Sequence, residues 1–222
     1  MKNWNEDYKR RLISMDEAVS HIKTGDDIIV GQCASEPQGI MSRIHTMRDS
    51  VEDVRVFSVL TLQPYEFYMR PEMEGHFELA SWFHAPGSRK ALKEGLNTVT
   101  YVPNMLHRAA MDRIQAKTPN IFFGTCTPPD SKGFVSLSLG ITYEKDVLEA
   151  ADLVVLEVNK NLPRTYGDTH VQVDYVDYFV ENHQDPPTLP TPEPDETDQA
   201  IGNHVAELVE DGSTIQLGIG NI

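Results

Sequence analysis

Cysteine is nearly absent: the 222 residues contain only Cys33 and Cys126, far apart and in no Cys-x-x-Cys pair. A disulfide framework and a cysteine-rich metal centre are therefore excluded as organising principles, and two free thiols in a reducing compartment are expected. Basic residues are also scarce, 19 Lys and Arg against 34 Asp and Glu, which leaves a net charge of −15. Such a surface repels phosphodiester backbones and anionic lipid heads, so neither nucleic acid nor a membrane is expected as a partner. No apolar run approaches the roughly 18 residues of a spanning helix, and the polar N-terminus has no signal-like apolar segment. A soluble, cytoplasmic protein is the expectation. The eight histidines form no His-Glu-x-x-His or comparable spacing, so no metal is assigned. The chain also lacks the Gly-x-Gly-x-x-Gly, Gly-Lys-Ser and Gly-x-Ser-x-Gly patterns of dinucleotide, P-loop and hydrolase-elbow proteins.

What is present is a regular alternation. Short runs rich in Val, Ile, Leu and Phe read as buried strands at Asp27–Gly31, Val54–Leu60, Phe77–Phe83, Thr98–Val102, Asn120–Thr127, Phe134–Leu139 and Leu153–Val158. Helical spacing lies between several of them. Ser14 with Glu17 has capping-box spacing, Met15, Ala18, Val19 and Ile22 share a helical face, and Gly25 ends the helix. Ser88 is a candidate cap for Arg89–Glu94, stopped by Gly95, while Met105–Ala116 and Thr142–Ala151 also carry helical periodicity. His170–Glu181 fits a strand or a helix, with its acids at the surface. The pattern predicts an α/β fold: an open, largely parallel sheet with flanking helices.

The stretch Asp185–Asp198 breaks this pattern with five prolines and five acids. Proline fixes φ and removes a donor, so the stretch reads as a semi-rigid linker. Behind it a helix is expected from a cap at Thr197 or Asp198, with apolar Ile201, Val205, Leu208 and Val209, a stop at Gly212 and a strand over Thr214–Ile219. This second start repeats the first. Placing Gly25 on Gly212 also brings Ile28 onto Ile215, Val30 onto Leu217 and Gly31 onto Gly218. The expected organisation is a first domain over 1–184, a linker over 185–198, and the opening of a second, related domain over 199–222. A lone helix and strand cannot bury their apolar faces, so the sequence reads as a piece of a longer protein.

Chemistry is expected in the turns that follow strands, because ligands of open α/β sheets sit beyond the carboxyl ends of the strands. Gly218-Ile219-Gly220-Asn221-Ile222 has the glycines needed either for close approach of a ligand to the backbone or simply for a tight turn. In the loop from Gly31 to Pro37, Gln32 and Ser35 can donate to a carboxylate or carbonyl. Glu36 can serve as base or nucleophile, or Ser35 or Glu36 can merely cap a helix starting near Pro37. The Thr127–Gly133 segment makes a turn by its own Pro-Asp chemistry. Lys160 and Arg164 follow the strand Leu153–Val158 and can either meet an anion or stay solvated.

The runs LVVLEVNKNLPRTYGD (Leu153–Asp168), HVQVDYVDYFVE, TPPDSKGFVSLSLG (Thr127–Gly140), GQCASEP and QLGIGNI together resemble the acetyl-CoA hydrolase/transferase family, in particular its 4-hydroxybutyrate and butyryl-CoA:acetate CoA-transferases. The resemblance implies a CoA-transferase-like fold, of which this chain is the first of two related domains. It implies transfer of CoA between an acyl-CoA and a small carboxylic acid, as in acetate and fatty acid metabolism, through a nucleophilic glutamate lying beyond Ile222. No catalytic residue is therefore assigned within the chain, which alone is expected to be inactive. Coenzyme A enters as a substrate, with no tightly bound cofactor. Gly218, Ile219, Gly220, Asn221 and Ile222 are implied to contact CoA, and Gln32, Ser35, Glu36 and Pro37 to line the acyl or carboxylate side. The second domain of the same polypeptide and a homo-oligomeric partner are implied as well. An acyl-CoA hydrolase and a non-catalytic ligand-binding α/β module are the alternatives.

Overall fold

A computed structural model describes residues 3–188 and 193–218. The chain divides into two units, Met1–Pro186 and Pro187–Ile222. The first is built on a seven-stranded sheet of order β4-β3-β2-β1-β5-β7-β9. The strands are β1 (Asp27–Val30), β2 (Val54–Ser58), β3 (Phe77–Ser81), β4 (Val99–Tyr101), β5 (Ile121–Cys126), β7 (Leu153–Val158) and β9 (Tyr178–Glu181). Every pairing in this sheet is parallel. The remaining two, β6 (Phe134–Ser136) and β8 (His170–Gln172), form a small antiparallel ribbon. All seven expected strands are found, Leu153–Val158 at its full expected length and the others trimmed by one to three residues at an end. His170–Glu181 resolves into two short strands flanking a single 3₁₀ turn, Val173–Tyr175.

Parallel sheets are covered on both faces, and the sequence supplies apolar residues in consecutive positions for that purpose. On one face Ile28, Val30, Val56, Leu79, Phe123 and Val155 pack with Ala18 and Val19 of α2 (Met15–Ser20) and Ile22 just after it, Ile40 and Met41 of α3 (Gln38–Met41), and Phe67 and Tyr68 of α4 (Glu66–Met69). On the other, Ile29, Phe57, Phe122, Leu156 and Phe179 pack with Tyr8 of the preceding helix α1 (Trp4–Arg10). Ala109 and Ala110 of α6 (Ala109–Ala116) and Val147 and Leu148 of α7 (Glu144–Ala150) complete that layer. Each fully buried Ile or Val contributes about 1.5–3 kcal/mol of burial free energy, which makes this double layer the main stabilising element.

Caps explain where the helices begin. Ser14 Oγ accepts from Glu17 N at 3.1 Å, as expected. Ser88 does not cap: α5 (Pro86–Lys93) starts earlier, and Ser88 Oγ donates to Ala85 O from inside the first turn. Pro86, with φ already fixed at a helical value, moves the start forward. Helices α6 and α7 start later than the periodicity suggested, at Ala109 and Glu144.

In the second unit, α8 (Glu196–Ala206) is capped not by Thr197 or Asp198 but by Asp195, with Asp198 closing a reciprocal capping box three residues on. None of its residues is buried. The expected strand over Thr214–Ile219 is not formed across the described residues 214–218, which have no pairing partner. Gly212 does not stop this helix, which ends at Ala206 with Glu207 as its C-cap; it lies in a later turn, in the left-handed conformation with φ +87°.

Candidate active site at the carboxyl edge of the sheet

The strand order places a topological switch between β1 and β5. From β1 the chain steps outward through β2, β3 and β4, then returns to the other side of β1 and steps outward through β5, β7 and β9. The loops leaving β1 and β5 therefore diverge, which is where open α/β sheets bind their ligands. The loop leaving β1 is residues 31–37, singled out above on its residue types.

Its shape is held by groups far away in sequence. Cys33–Ser35 forms one 3₁₀ turn, with Cys33 forced to φ +50°. Glu144, at the start of α7 and only 2% exposed, receives the loop through Oε1: Gln32 N lies 3.3 Å away and Ser35 Oγ 3.1 Å away. Its Oε2 accepts from Tyr143 N at 3.0 Å. The Ser35 hydroxyl also lies 2.6 Å from Gln32 O, so its one proton is shared between two acceptors. Thr125 of β5 donates to Ser35 O at 3.2 Å, and Tyr143 Oη donates to Val30 O at 2.8 Å. Two glycines permit this approach: a Cβ on Gly31 would stand 2.4 Å from Ser35 O, and one on Gly140 2.6 Å from Ser35 Cβ.

Glu36 leads away from the helix start. The capping alternative does not hold: α3 has Pro37 at its N-cap position with no side-chain bond, because the Glu36 carboxyl turns to the loop after β2 and accepts from Leu62 N at 3.2 Å. Tyr65 Oη sits beside the same carboxyl group, outside good hydrogen-bond geometry, and both Glu36 Oε1 and Tyr65 Oη are buried without another partner. Burial pushes the Glu36 carboxyl up to about 8, opposed by the Tyr65 and Leu62 donors and reinforced by the Glu157 charge. Tyr65 and Tyr68 are raised for the same reason, first burial and then the nearby acid.

Glu157, near the end of β7, is a third buried acid of this edge. It accepts from Ile40 N at 3.0 Å and from Asn182 Nδ2 at 2.6 Å, and burial raises its pKa. Gly39 leaves room for this arrangement, since a Cβ there would meet Asn182 Nδ2 at 2.6 Å and Met15 Cε at 2.7 Å, and those side-chain ends would have to move. Among the described residues no Lys or Arg forms an ion pair with Glu36, Glu144 or Glu157.

Of the residues read from the sequence, Gln32, Ser35, Glu36 and Pro37 are thus brought to the switch point. Gln32 is half-buried, with Nε2 donating to Thr142 Oγ1 at 2.8 Å, while the other three are buried. Gly218 is exposed, with open space where a Cβ would stand. Ile219, Gly220, Asn221 and Ile222 lie outside the described residues. Arg164 is not a solvated cation. It donates to Asp130 Oδ2 at 2.9 Å, Phe134 O at 3.1 Å and Thr127 Oγ1 at 3.3 Å, bracing the Thr127–Gly133 turn. Lys160 is exposed. The acids of 170–181, Asp174, Asp177 and Glu181, are exposed as expected, although Asp177 also accepts from Val154 N and Glu181 from Tyr8 Oη.

Glu144, Tyr143, Glu157 and Leu62 were missed. Glu157 sits within the Leu153–Asp168 run without being singled out there, the other three lie outside the quoted runs, and each reaches the site only through contacts made across the fold. Both cysteines are free, Cys126 buried and Cys33 partly so. Among the described residues there is no cluster of His, Cys, Asp and Glu that could hold a metal ion and no helix long and apolar enough to cross a membrane.

A parallel α/β sheet with a glycine-shaped loop and buried acids at its switch point defines a class of small-molecule α/β domains. Within it, the chain belongs to the acetyl-CoA hydrolase/transferase family, whose N-terminal domain matches residues 1–189. It is 30% identical over 220 residues to a 4-hydroxybutyrate coenzyme A transferase of Clostridium kluyveri, covering 99% of this chain and 51% of that protein. It is 29% identical to the succinyl-CoA:cyclohexane-1-carboxylate CoA transferase of Geobacter metallireducens, covering 100% of this chain and 50% of the relative. The crystal structure of RipA from Yersinia pestis superposes with a TM-score of 0.92 at 27% identity, over 99% of this chain and 53% of RipA. The chain thus spans about half the length of the curated relatives it matches.

Proposed function

We propose that this chain is the first of two related domains of a CoA-transferase. The enzyme moves coenzyme A from an acyl-CoA thioester to a small carboxylic acid such as acetate, butyrate or 4-hydroxybutyrate. The carrying observation is the glycine-shaped 31–37 loop standing at the β1/β5 switch point, in a chain of this family. The relatives' names describe the same chemistry with different acids. On this reading residues 1–184 form the domain, 185–198 the linker, and 199–222 open the second domain.

A glutamate of that second domain attacks the thioester carbonyl. The C–S bond breaks, CoA leaves as thiolate, and an acyl-glutamyl anhydride forms. The thiolate then attacks the glutamyl carbonyl, releasing the first acid as its carboxylate and leaving a glutamyl-CoA thioester. A second carboxylate reverses the sequence and leaves as the new acyl-CoA. Donors near glycine turns stabilise the oxyanion of each step, and the half-buried Gln32 carries a side-chain donor on the 31–37 loop. Gly218–Ile222 supplies backbone N–H groups to CoA, which suits an anion on an otherwise acidic protein. No tightly bound cofactor takes part, the enzyme is cytoplasmic, and it assembles as a homo-oligomer.

The carboxyl edge supports a partner body above it. Phe83, Tyr101, Met105 and Leu106 follow β3 and β4, and Leu139 and Ile141 flank Gly140 against Ser35. All six are exposed large apolar side chains. Exposed apolar groups gathered on one edge mark a surface that another body covers.

Full-length protein given acetyl-CoA and butyrate should form butyryl-CoA with ping-pong kinetics, seen as parallel double-reciprocal lines. CoA release at a rate indifferent to butyrate would instead identify a hydrolase. Absence of any turnover would leave the ligand-binding module.

A further inference from the structure

Two loops leave adjacent strands at the switch point, residues 31–37 after β1 and residues 59–65 after β2. They are joined twice. Cys33 N donates to Leu60 O at 3.1 Å, and Leu62 N donates to Glu36 Oε2 at 3.2 Å. The second tie is unusual, because it uses a carboxyl group only 3% exposed to hold a residue, Leu62, that is 36% exposed at the rim. On the inner side of the same carboxyl group, Glu36 Oε1 and Tyr65 Oη lie side by side, both buried and neither bonded elsewhere.

A buried polar atom left unpaired costs about 1–3 kcal/mol, so two such atoms placed together persist only if they serve each other or hold something in place. One proton resolves the pair: the Tyr65 O–H donates to Glu36 Oε1 while Oε2 goes on accepting from Leu62 N. The same side chain cannot reach a reactant in this arrangement, since both oxygens face protein. The strain of a non-glycine residue at positive φ, Cys33, lies within the turn that the tie closes.

We propose that Glu36 is a positioning residue: with Tyr65 it latches the 59–65 loop onto the 31–37 loop, and so fixes the wall of the site beside the acyl group rather than touching the acyl group itself. This inference rests on the transferase reading for its kinetic consequence, but the latch itself can be observed without any turnover.

The test uses full-length protein and three variants. In Glu36→Leu, which removes both acceptors, the Leu62 amide should exchange with deuterium at least tenfold faster on peptides spanning 59–65. The KM for butyrate should rise about tenfold while kcat changes less than threefold, as expected when binding contacts are loosened and the reacting groups are untouched. Glu36→Gln retains an acceptor for Leu62 N and a donor for Tyr65 Oη, and it should stay within threefold of the parent in both exchange and KM. Should Glu36→Leu fail to fold, Tyr65→Phe removes the hydroxyl alone and should speed Leu62 exchange by a smaller factor. Unchanged exchange in Glu36→Leu, or in Tyr65→Phe where the former does not fold, would overturn the latch. A kcat loss of tenfold or more in Glu36→Gln would overturn it too, by showing that the carboxylate meets the reactants. If the protein has no transferase activity, the functional reading falls and the exchange measurement still decides the latch.

Discussion

The two edges of the central sheet treat buried acids in opposite ways. At the amino edge Asp27, fully buried at the start of β1, is surrounded by cations. Arg55 Nη2 lies 2.8 Å away and Lys117 Nζ 3.1 Å, and Arg113 closes the group. At the carboxyl edge Glu36, Glu144 and Glu157 are just as buried, yet they are met only by backbone N–H groups, hydroxyls and an amide. The amino edge is a closed electrostatic lock. A depression of about 500 Å³ beside it, lined by Arg55, His76, Glu78 and Asn97, has those polar groups already engaged within the protein. The carboxyl edge instead keeps acids without countercharge, an arrangement that costs stability and is typical of the end of an α/β sheet where ligands bind.

The largest effect should come from breaking the lock. Asp27→Asn leaves three cations facing a neutral amide, and urea unfolding should show a loss of about 3–5 kcal/mol. A loss under about 1 kcal/mol would mean that the cations are held by solvent and that the contrast between the edges is not one of charge pairing.

The next effect distinguishes the edges by pH. The folded state raises Glu36 from 4.5 to about 8, so it holds the proton more tightly than the unfolded chain does. The resulting stabilisation is complete below pH 4.5 and is lost as pH rises to about 8. The groups facing it are the Leu62 N–H, Tyr65, Tyr68, Glu157 and Cys33, none of them a cation. Glu36→Gln removes the titration. Across that interval the variant should therefore gain on the parent by an amount on the order of a few kcal/mol, read as diverging unfolding midpoints. Parallel pH profiles would place Glu36 in contact with solvent or with a cation.

Smaller still is the effect of crowding the loop. Gly31→Ala sets a methyl group 2.4 Å from Ser35 O, so the turn must shift at a cost of about 1–3 kcal/mol. Gly25→Ala is a useful contrast at the amino edge, because nothing stands within 4 Å of its Cβ and only the φ of +79° opposes the change. Loss of transfer in Gly31→Ala with retention in Gly25→Ala would sharpen the assignment of chemistry to one edge.

The sheet was legible because parallel strands buried on both faces are written as continuous apolar runs: six of the seven runs mark its strands, the seventh is β6 of the antiparallel ribbon, and the edge strand β9 lay in the stretch that fitted a strand or a helix. Helix starts were less so: Pro86 and Asp195 outweighed the serine and threonine signals, since a fixed φ and a reciprocal capping box are stronger local determinants than a lone hydroxyl. At the site, the 31–37 loop was visible from its glycine and polar residues. Glu144 was not, because its value arises from lying within hydrogen-bond reach of Gln32 and Ser35, more than a hundred residues away in the chain. The role of Glu36 was legible only as a residue type. Its burial, and its turn away from the helix it precedes, come from the packing of Leu62 and Tyr65.

The most direct test of the account is a crystal structure of the full-length protein with a CoA thioester bound. The thioester carbonyl should lie beyond the carboxyl ends of β1 and β5, over Gly31–Gln32, with Glu36 still bonded to Leu62 N beneath it. A thioester seated at the amino edge beside Arg55 and His76, or anywhere away from the switch point, would contradict it.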